Sequence, residues 1–217
     1  MESEYIEYKW ENPKTTAHEY IVPVIIKILK ELNIPSDAKI LDAGCGGGYF
    51  LNELYKLGYK EIYGFDASFS GIKIAKRNFP HLSDRLHLHN VYEQNLPVDI
   101  PSEYDVVISM EVIEHLYSPE KYIQNIHRWL KENGILIITT PYHGYLKNLV
   151  IALLNKFDTH FNPLWEGGHI KFFSKKSLIE LLMKNKFDIL KFCGAGRLPF
   201  LWKSMIIVAG KNKPSSF

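Results

Sequence analysis

The chain has 217 residues, 46% of them hydrophobic, with a formal net charge of +2; this suits one α/β domain with a sizeable core and argues against disorder. Its two cysteines, Cys45 and Cys193, supply neither a disulfide framework nor a cysteine metal site, and no apolar run approaches the roughly 18 residues that span a bilayer. The charge is uneven: residues 1–140 hold 14 Lys+Arg and 20 Asp+Glu, a balance of −6, and residues 141–217 hold 12 and 4, a balance of +8.

The start, Met1-Glu2-Ser3-Glu4-Tyr5, is acidic and shows no signal-peptide pattern, so a cytoplasmic location is expected. Apolar residues at Ile21, Val24, Ile25, Ile28 and Leu29 predict a helix over Thr16–Leu32, with Pro23 expected to kink it or delay its start. Lys39–Asp42 reads as a buried strand, Tyr49–Leu57 as a crossover helix stopped by Gly58, and Glu61–Asp66 as a second strand. Ser68 or Ser70 caps a helix running to Phe79. Leu86–Asn90 and Tyr104–Ser109 are strands three and four. Ser118-Pro119-Glu120 opens a helix to Leu130 that Asn133-Gly134 ends, and Ile135–Thr139 is strand five. Ser174 caps a helix ending near Lys184, and Asp188–Phe192 and Met205–Ala209 read as a closing antiparallel pair. Alternating helix and strand patterns predict a mostly parallel sheet covered on both faces, in one domain over 1–217. Residues 1–36 form an N-terminal helical segment and 141–173 an insert.

Between strand one and its helix lie three alternate glycines, Gly44, Gly46 and Gly48, after Asp42. Glycine permits a tight turn and close approach to a ligand, and the helix start that follows offers free N–H groups. Asp66 ends strand two, 22 residues after Gly44, where an acid can accept hydrogen bonds from a ribose. This is a nucleoside-binding βαβ unit. The nicotinamide fingerprint G-x-G-x-x-G/A fails at Tyr49 from one start and at Leu51 from the other.

The pattern acid-x-G-x-G-x-G, with Asp42 as the acid, resembles the class I S-adenosylmethionine (SAM) methyltransferases. The resemblance implies a Rossmann-like seven-stranded sheet whose last strand inserts antiparallel beside the sixth. It also implies SAM as cofactor. Asp42, Gly44, Cys45, Gly46 and Gly48 would then form the loop around the methionine and ribose parts. Asp66 and Ala67 would lie at the ribose, Asn90 and Val91 near the adenine, and Met110 at the sulfonium. Asn90 reads equally as a turn residue at a strand end.

Met110-Glu111-Val112-Ile113-Glu114-His115-Leu116 follows strand four. If helical, it places Glu111 and His115 at i,i+4 with Glu114 nearby. Two carboxylates and an imidazole can hold a hard divalent cation such as Mg, with His169 as a fourth ligand from a later loop; solvated carboxylates and a packed histidine are the bland alternative. Glu-x-x-Glu-His followed by Gly-x-His resembles the ubiquinone-biosynthesis O-methyltransferases, and a similar set occurs in the terminal 2′-O-methyltransferases of small RNAs. Two roles stand for this set: His115, Glu111 and Glu114 as acid–base groups, or Glu111, Glu114, His115 and His169 as metal ligands.

Residues 141–173 are long for a crossover. They hold an apolar helix over 146–157, bracketed by Lys147 and Lys156 that would meet anionic headgroups on a membrane, and an aromatic set of Tyr142, Tyr145, Phe157, Phe161, Trp165, Phe172 and Phe173. This segment is a lid, a peripheral membrane contact or part of the core. The expected activity is SAM-dependent methylation, at oxygen, of a small and partly apolar molecule. RNA 2′-O-methylation and a non-catalytic SAM-binding protein are the alternatives; the absence of a recognisable RNA-binding module weighs against a nucleic-acid partner.

Overall fold

The computed structural model describes Glu7 and residues 10–212; the acidic stretch Met1 to Tyr5 lies outside the described residues. Seven strands, β1 Ile40–Ala43, β2 Ile62–Asp66, β3 Leu86–Leu88, β4 Tyr104–Met110, β5 Leu130–Pro141, β6 Phe187–Ala195 and β7 Ser204–Lys211, form one sheet. Their order is β3-β2-β1-β4-β5-β7-β6. Strands β1 to β5 pair in parallel, and β7 lies antiparallel between β5 and β6, as the resemblance implied. The helices are α1 Thr16–Glu31, α2 Tyr49–Lys56, α3 Phe69–Asn78, α4 Pro119–Trp129, α5 Tyr145–Leu153, α6 Phe157–Phe161 and α7 Lys175–Lys184.

Both faces of the central strands β1, β4 and β7 are buried, so these strands are apolar at successive positions rather than alternating, while the edge strands β3 and β6 are partly exposed. In β1, Ile40 joins the core under α1, α2 and α3, with Ile25, Leu29, Phe50 and Ile72. Its neighbour Leu41 joins the opposite core with Ile126 and Trp129 of α4 and Leu178 and Leu182 of α7. Each fully buried Leu or Ile contributes roughly 1.5–3 kcal/mol. The strand order reverses between β1 and β4, and the crevice beyond the carboxyl ends of such strands is where ligands bind in this architecture.

Several local expectations change. Helix α1 begins at Thr16, so Pro23 does not delay it. The Thr15 N–H is instead accepted by Nδ1 of His18 at 2.9 Å, and burial holds that imidazole down at about 4, in the neutral form that can accept. Strand β3 stops at Leu88, because the Asn90 side-chain oxygen accepts the Tyr92 N–H (2.9 Å) and turns the chain. Helix α4 ends at Trp129, and Asn133-Gly134 lie inside β5, with Asn133 left-handed at φ 62°. The single apolar helix expected over 146–157 is two, α5 and α6, separated where Asn155 turns left-handed at φ 50°. No helix among the described residues is long and apolar enough to cross a membrane.

Candidate active site

A cavity of about 850 Å³ opens at the carboxyl ends of β1, β2 and β4. Gly44, Cys45, Asp66, Ala67, Asn90 and Val91 line one side of it. Met110, Glu111 and His115 also line it, as do Lys147 from α5, Phe161 from α6 and His169 from the loop beyond. Most of the predicted cofactor and acceptor residues therefore share one space, and several residues of 141–173 line its wall. Asp42, Gly46, Gly48 and Glu114 do not line it.

The glycine loop takes the shape its residues allow. Gly44, Gly46 and Gly48 have φ of 90°, 50° and 76°, all left-handed. A Cβ on Gly44 would stand 2.4 Å from Val112, and one on Gly46 2.2 Å from the Trp10 ring. Asp66 clamps this loop: Oδ2 accepts the Gly46 N–H (2.8 Å) and Oδ1 the Ser68 N–H (2.7 Å). Burial raises the Asp66 carboxyl above its ordinary range, with those two N–H groups opposing. Asp42 is buried just behind, both its oxygens without a hydrogen-bond partner among the described residues. Burial, then the charge of Asp66, pushes it up to about 8.

Sequence reasoning missed the segment that closes this end. The Glu7 carboxylate accepts from Ser70 N–H (3.0 Å), Phe69 N–H (3.1 Å) and the Ser68 hydroxyl (2.6 Å) at the start of α3. An anion is favoured there by the helix dipole. Burial pushes this carboxyl up, but the hydrogen bonds outweigh it and hold it below its usual range. The Trp10 backbone N–H donates to the Ser70 hydroxyl (3.0 Å), and the indole lies over Gly46. These contacts join residues some 60 apart in sequence, beyond the reach of any local pattern.

The run after β4 is not a helix. Glu111 is left-handed at φ 54°, and only Ile113–His115 form a 3-10 turn. The Thr139 hydroxyl accepts the Glu111 N–H (3.1 Å) and donates to Glu111 Oε1 (2.7 Å), while the Ser204 hydroxyl donates to Oε2 (2.9 Å). Burial pushes this carboxyl up to about 7, with the two hydroxyls opposing. Glu114, expected beside it or in solvent, is 0% exposed. Its Oε2 accepts from the Thr140 hydroxyl (3.0 Å), and its Oε1 has no hydrogen-bond partner among the described residues. Burial and the charge of Glu111 push it far above the carboxylate range.

His115 Nδ1 lies 2.8 Å from the Gly167 carbonyl oxygen and 3.2 Å from that of Gly168. Two acceptors place the proton on Nδ1 and leave Nε2 with a free lone pair. Burial lowers the basicity of this ring, the two carbonyls opposing. The loop carrying His169 is pinned by the Ile170 and Lys171 N–H groups, both donating to the Glu114 carbonyl oxygen. His115 and His169 rings are 4.9 Å apart, and burial then His115 bring His169 down to about 4. Ligand atoms of Glu114, His115 and His169 lie within 4.8 Å of one another. Glu111 is outside that group, so the four-residue set of the sequence becomes three.

Residues 16–191 match the family described as a methyltransferase domain. A Schizosaccharomyces pombe protein named as a mitochondrial ubiquinone biosynthesis O-methyltransferase is 30% identical over 167 residues, 75% of this chain and 60% of its own length. A Pelagibacter ubique ubiquinone biosynthesis O-methyltransferase is 29% identical, over 79% of this chain and 75% of its own. A Rickettsia typhi protein of that name is 30% identical, over 82% and 71%. The chain thus spans less than two thirds of the fission yeast relative. Among solved structures, magnesium protoporphyrin IX methyltransferase from Synechocystis PCC 6803, with bound S-adenosylhomocysteine (SAH), superposes with a TM-score of 0.68 at 18% identity, covering 88% of this chain and 82% of that one. A [4+2]-cyclase superposes with the same TM-score, 0.68, at 16% identity, covering 97% and 88%. Those two likenesses establish the fold alone.

Proposed function

The chain belongs to the methyltransferase-domain family and is a SAM-dependent methyltransferase, and from that premise we propose that it methylates a hydroxyl oxygen of a small, partly apolar molecule, with His115 as the base. The observation that carries this reading is the His115 tautomer: Nδ1–H is held by two backbone carbonyls, and Nε2 is left free on a ring lining the cavity. Burial keeps the imidazole neutral, which is the form that accepts a proton. The names of the relatives support oxygen as the methylated atom, and Phe161, Trp165 and Ile170 in the cavity wall suit an apolar acceptor better than a ribose–phosphate chain.

The glycine loop and Asp66 fit SAM. The loop backbone forms part of the wall, and each Asp66 oxygen, already holding one N–H, keeps a lone pair for a ribose hydroxyl. Ala67, Val91 and Met110 border the same side, which supports the ribose, adenine and sulfonium ends lying there. Asn90 borders it too, but its side-chain oxygen already serves the turn. Bound SAM supplies an electrophilic methyl group that already carries its leaving group. The protein's part is to align the acceptor oxygen and take its proton.

A second reading rests on the orphan Glu114 Oε1. With His115 and His169 it forms a donor set of one carboxylate and two imidazoles, which fits a borderline ion such as zinc better than Mg. Such an ion would lower the pKa of a bound hydroxyl, and Glu111 would orient Thr139 and Ser204 rather than ligate. The outer face of 146–157 supports membrane contact, since Leu149, Leu153 and Phe157 are exposed. The test of the leading reading is label transfer from methyl-labelled SAM to simple catechols, wild type against His115→Gln, with and without EDTA. Transfer that survives EDTA and is lost in His115→Gln supports His115 as base. Loss in EDTA, restored by zinc, supports the metal reading. Full transfer by His115→Gln refutes both.

A further inference from the structure

Helix α5 turns its lysine inward. Lys147 is 4% exposed and lines the cavity, while Leu149, Val150 and Leu153 of the same helix face outward. An amphipathic helix resting on an apolar core does the opposite. Burying an ammonium is costly unless it is paired, and Lys147 Nζ makes one hydrogen bond, to the Lys203 carbonyl oxygen at 3.3 Å. An ammonium has three donors; the other two have no partner among the described residues. Glu111 is the carboxylate whose charge it feels, but no hydrogen bond or ion pair joins the two among the described residues, and the Glu111 oxygens accept from Thr139 and Ser204. Arg197 and Lys203 line the same cavity. So does His143, whose Nε2 is buried and unpartnered among the described residues. Burial, with Arg197 adding to it and Glu111 opposing, brings the Lys147 amine down to about 8, so it is still charged at neutral pH.

We infer that the methyl acceptor carries an anionic oxygen group, a carboxylate or a phosphate, which docks on the Lys147 ammonium with Arg197 beside it. Lys147 is then a specificity residue. Because it stands in the cavity wall, docking the anion also ties α5 to the acceptor. The inference rests on the methyl-transfer reading only in taking this cavity as the acceptor site.

The test is calorimetric titration of the SAH-loaded protein with three probes of one shape: 3,4-dihydroxybenzoate, 3,4-dihydroxyphenylphosphonate and the neutral 3,4-dihydroxybenzamide. Wild type should bind at least one anionic probe about tenfold or more tighter than the amide, as expected for one charge-assisted hydrogen bond or more. Whether the benzoate or the phosphonate gains separates the two anions. Lys147→Met should erase the preference and leave SAH affinity unchanged. Arg197→Gln, at an exposed position, should reduce the preference and serves if Lys147→Met does not fold. Equal binding of all probes by wild type, or an intact preference in Lys147→Met, overturns the inference. So does a matching loss of SAH affinity in Lys147→Met, which would assign the lysine to the cofactor's own carboxylate. Failure of wild type to bind SAH would instead count against the methyltransferase reading, and the same titrations without SAH read Lys147 independently of it.

Discussion

Asp66→Asn separates the loop clamp this carboxylate forms from the ribose contact proposed for it. In the free protein its oxygens accept the Gly46 and Ser68 N–H groups at 2.8 and 2.7 Å. An asparagine keeps one acceptor oxygen and turns an NH₂ toward the other N–H, so one charge-assisted bond becomes a donor–donor clash. Losing one such bond costs about 1.5–3 kcal/mol of stability. A ribose hydroxyl donating to the same carboxylate would lose a comparable amount, which is about 10- to 150-fold in affinity. Urea denaturation should therefore show the stability loss without ligand, and calorimetry with SAH should show a further affinity loss that native-like stability in mild conditions does not remove. A variant that is destabilised yet binds SAH with unchanged affinity would reduce Asp66 to a loop clamp and refute its place at the ribose.

His115→Ala should lower turnover by about 10²–10⁴ with SAH affinity nearly intact. Because burial holds its pKa below 6.5, wild-type activity should rise with pH along a limb centred below 6.5; a limb at or above 6.5 would contradict the buried neutral imidazole. His18→Gln should keep the cap on α1, since glutamine at this position can also accept the Thr15 N–H. Wild-type His18, held at about 4, is neutral when folded but takes a proton when unfolded below 6.5, so stability is lost as pH falls from 6.5 toward 4. The variant should lose less over that window, and parallel urea midpoints for the two proteins would refute the argument. Gly46→Ala should cost about 1–2 kcal/mol for its left-handed backbone alone and more for the displaced Trp10, readable as a lower Tm and quenched indole ordering. Leu153→Glu should weaken co-sedimentation with anionic vesicles if the outer face of α5 meets lipid, and no binding by wild type would end that reading.

The parts of this fold that speak locally were legible. The glycine loop, Asp66 at the end of β2 and the two-faced apolar strands each depend on neighbours in sequence, and each stands where the pattern put it. The site's finer geometry depends on distant partners. Spacing placed Glu111 and His115 one helical turn apart, but Thr139, 28 residues on, holds Glu111 in a left-handed conformation that no helix allows. Lys147 read as a cation at a membrane surface, because lysine among leucines ordinarily faces out. The inward cavity that receives it is built by other elements, so its burial removes it from any headgroup contact. Trp10 carried no signal, because its indole meets Gly46 and Gly71 only once the sheet is assembled.

The central position of β7 bears on how the molecule is made. Synthesis delivers β5 and β6 before the strand that fits between them, so until Ser204–Lys211 emerge β5 presents a bare hydrogen-bonding edge. The same late strand brings Ser204, whose hydroxyl holds Glu111 and lies 3.4 Å from that of Tyr20 in α1. Strands β1 to β4, with their sequential crossovers, can settle early, whereas the acceptor wall waits for the last-made strand. A nascent chain halted before Ser204 would therefore hold its glycine loop while Glu111 still lacked the Ser204 hydroxyl.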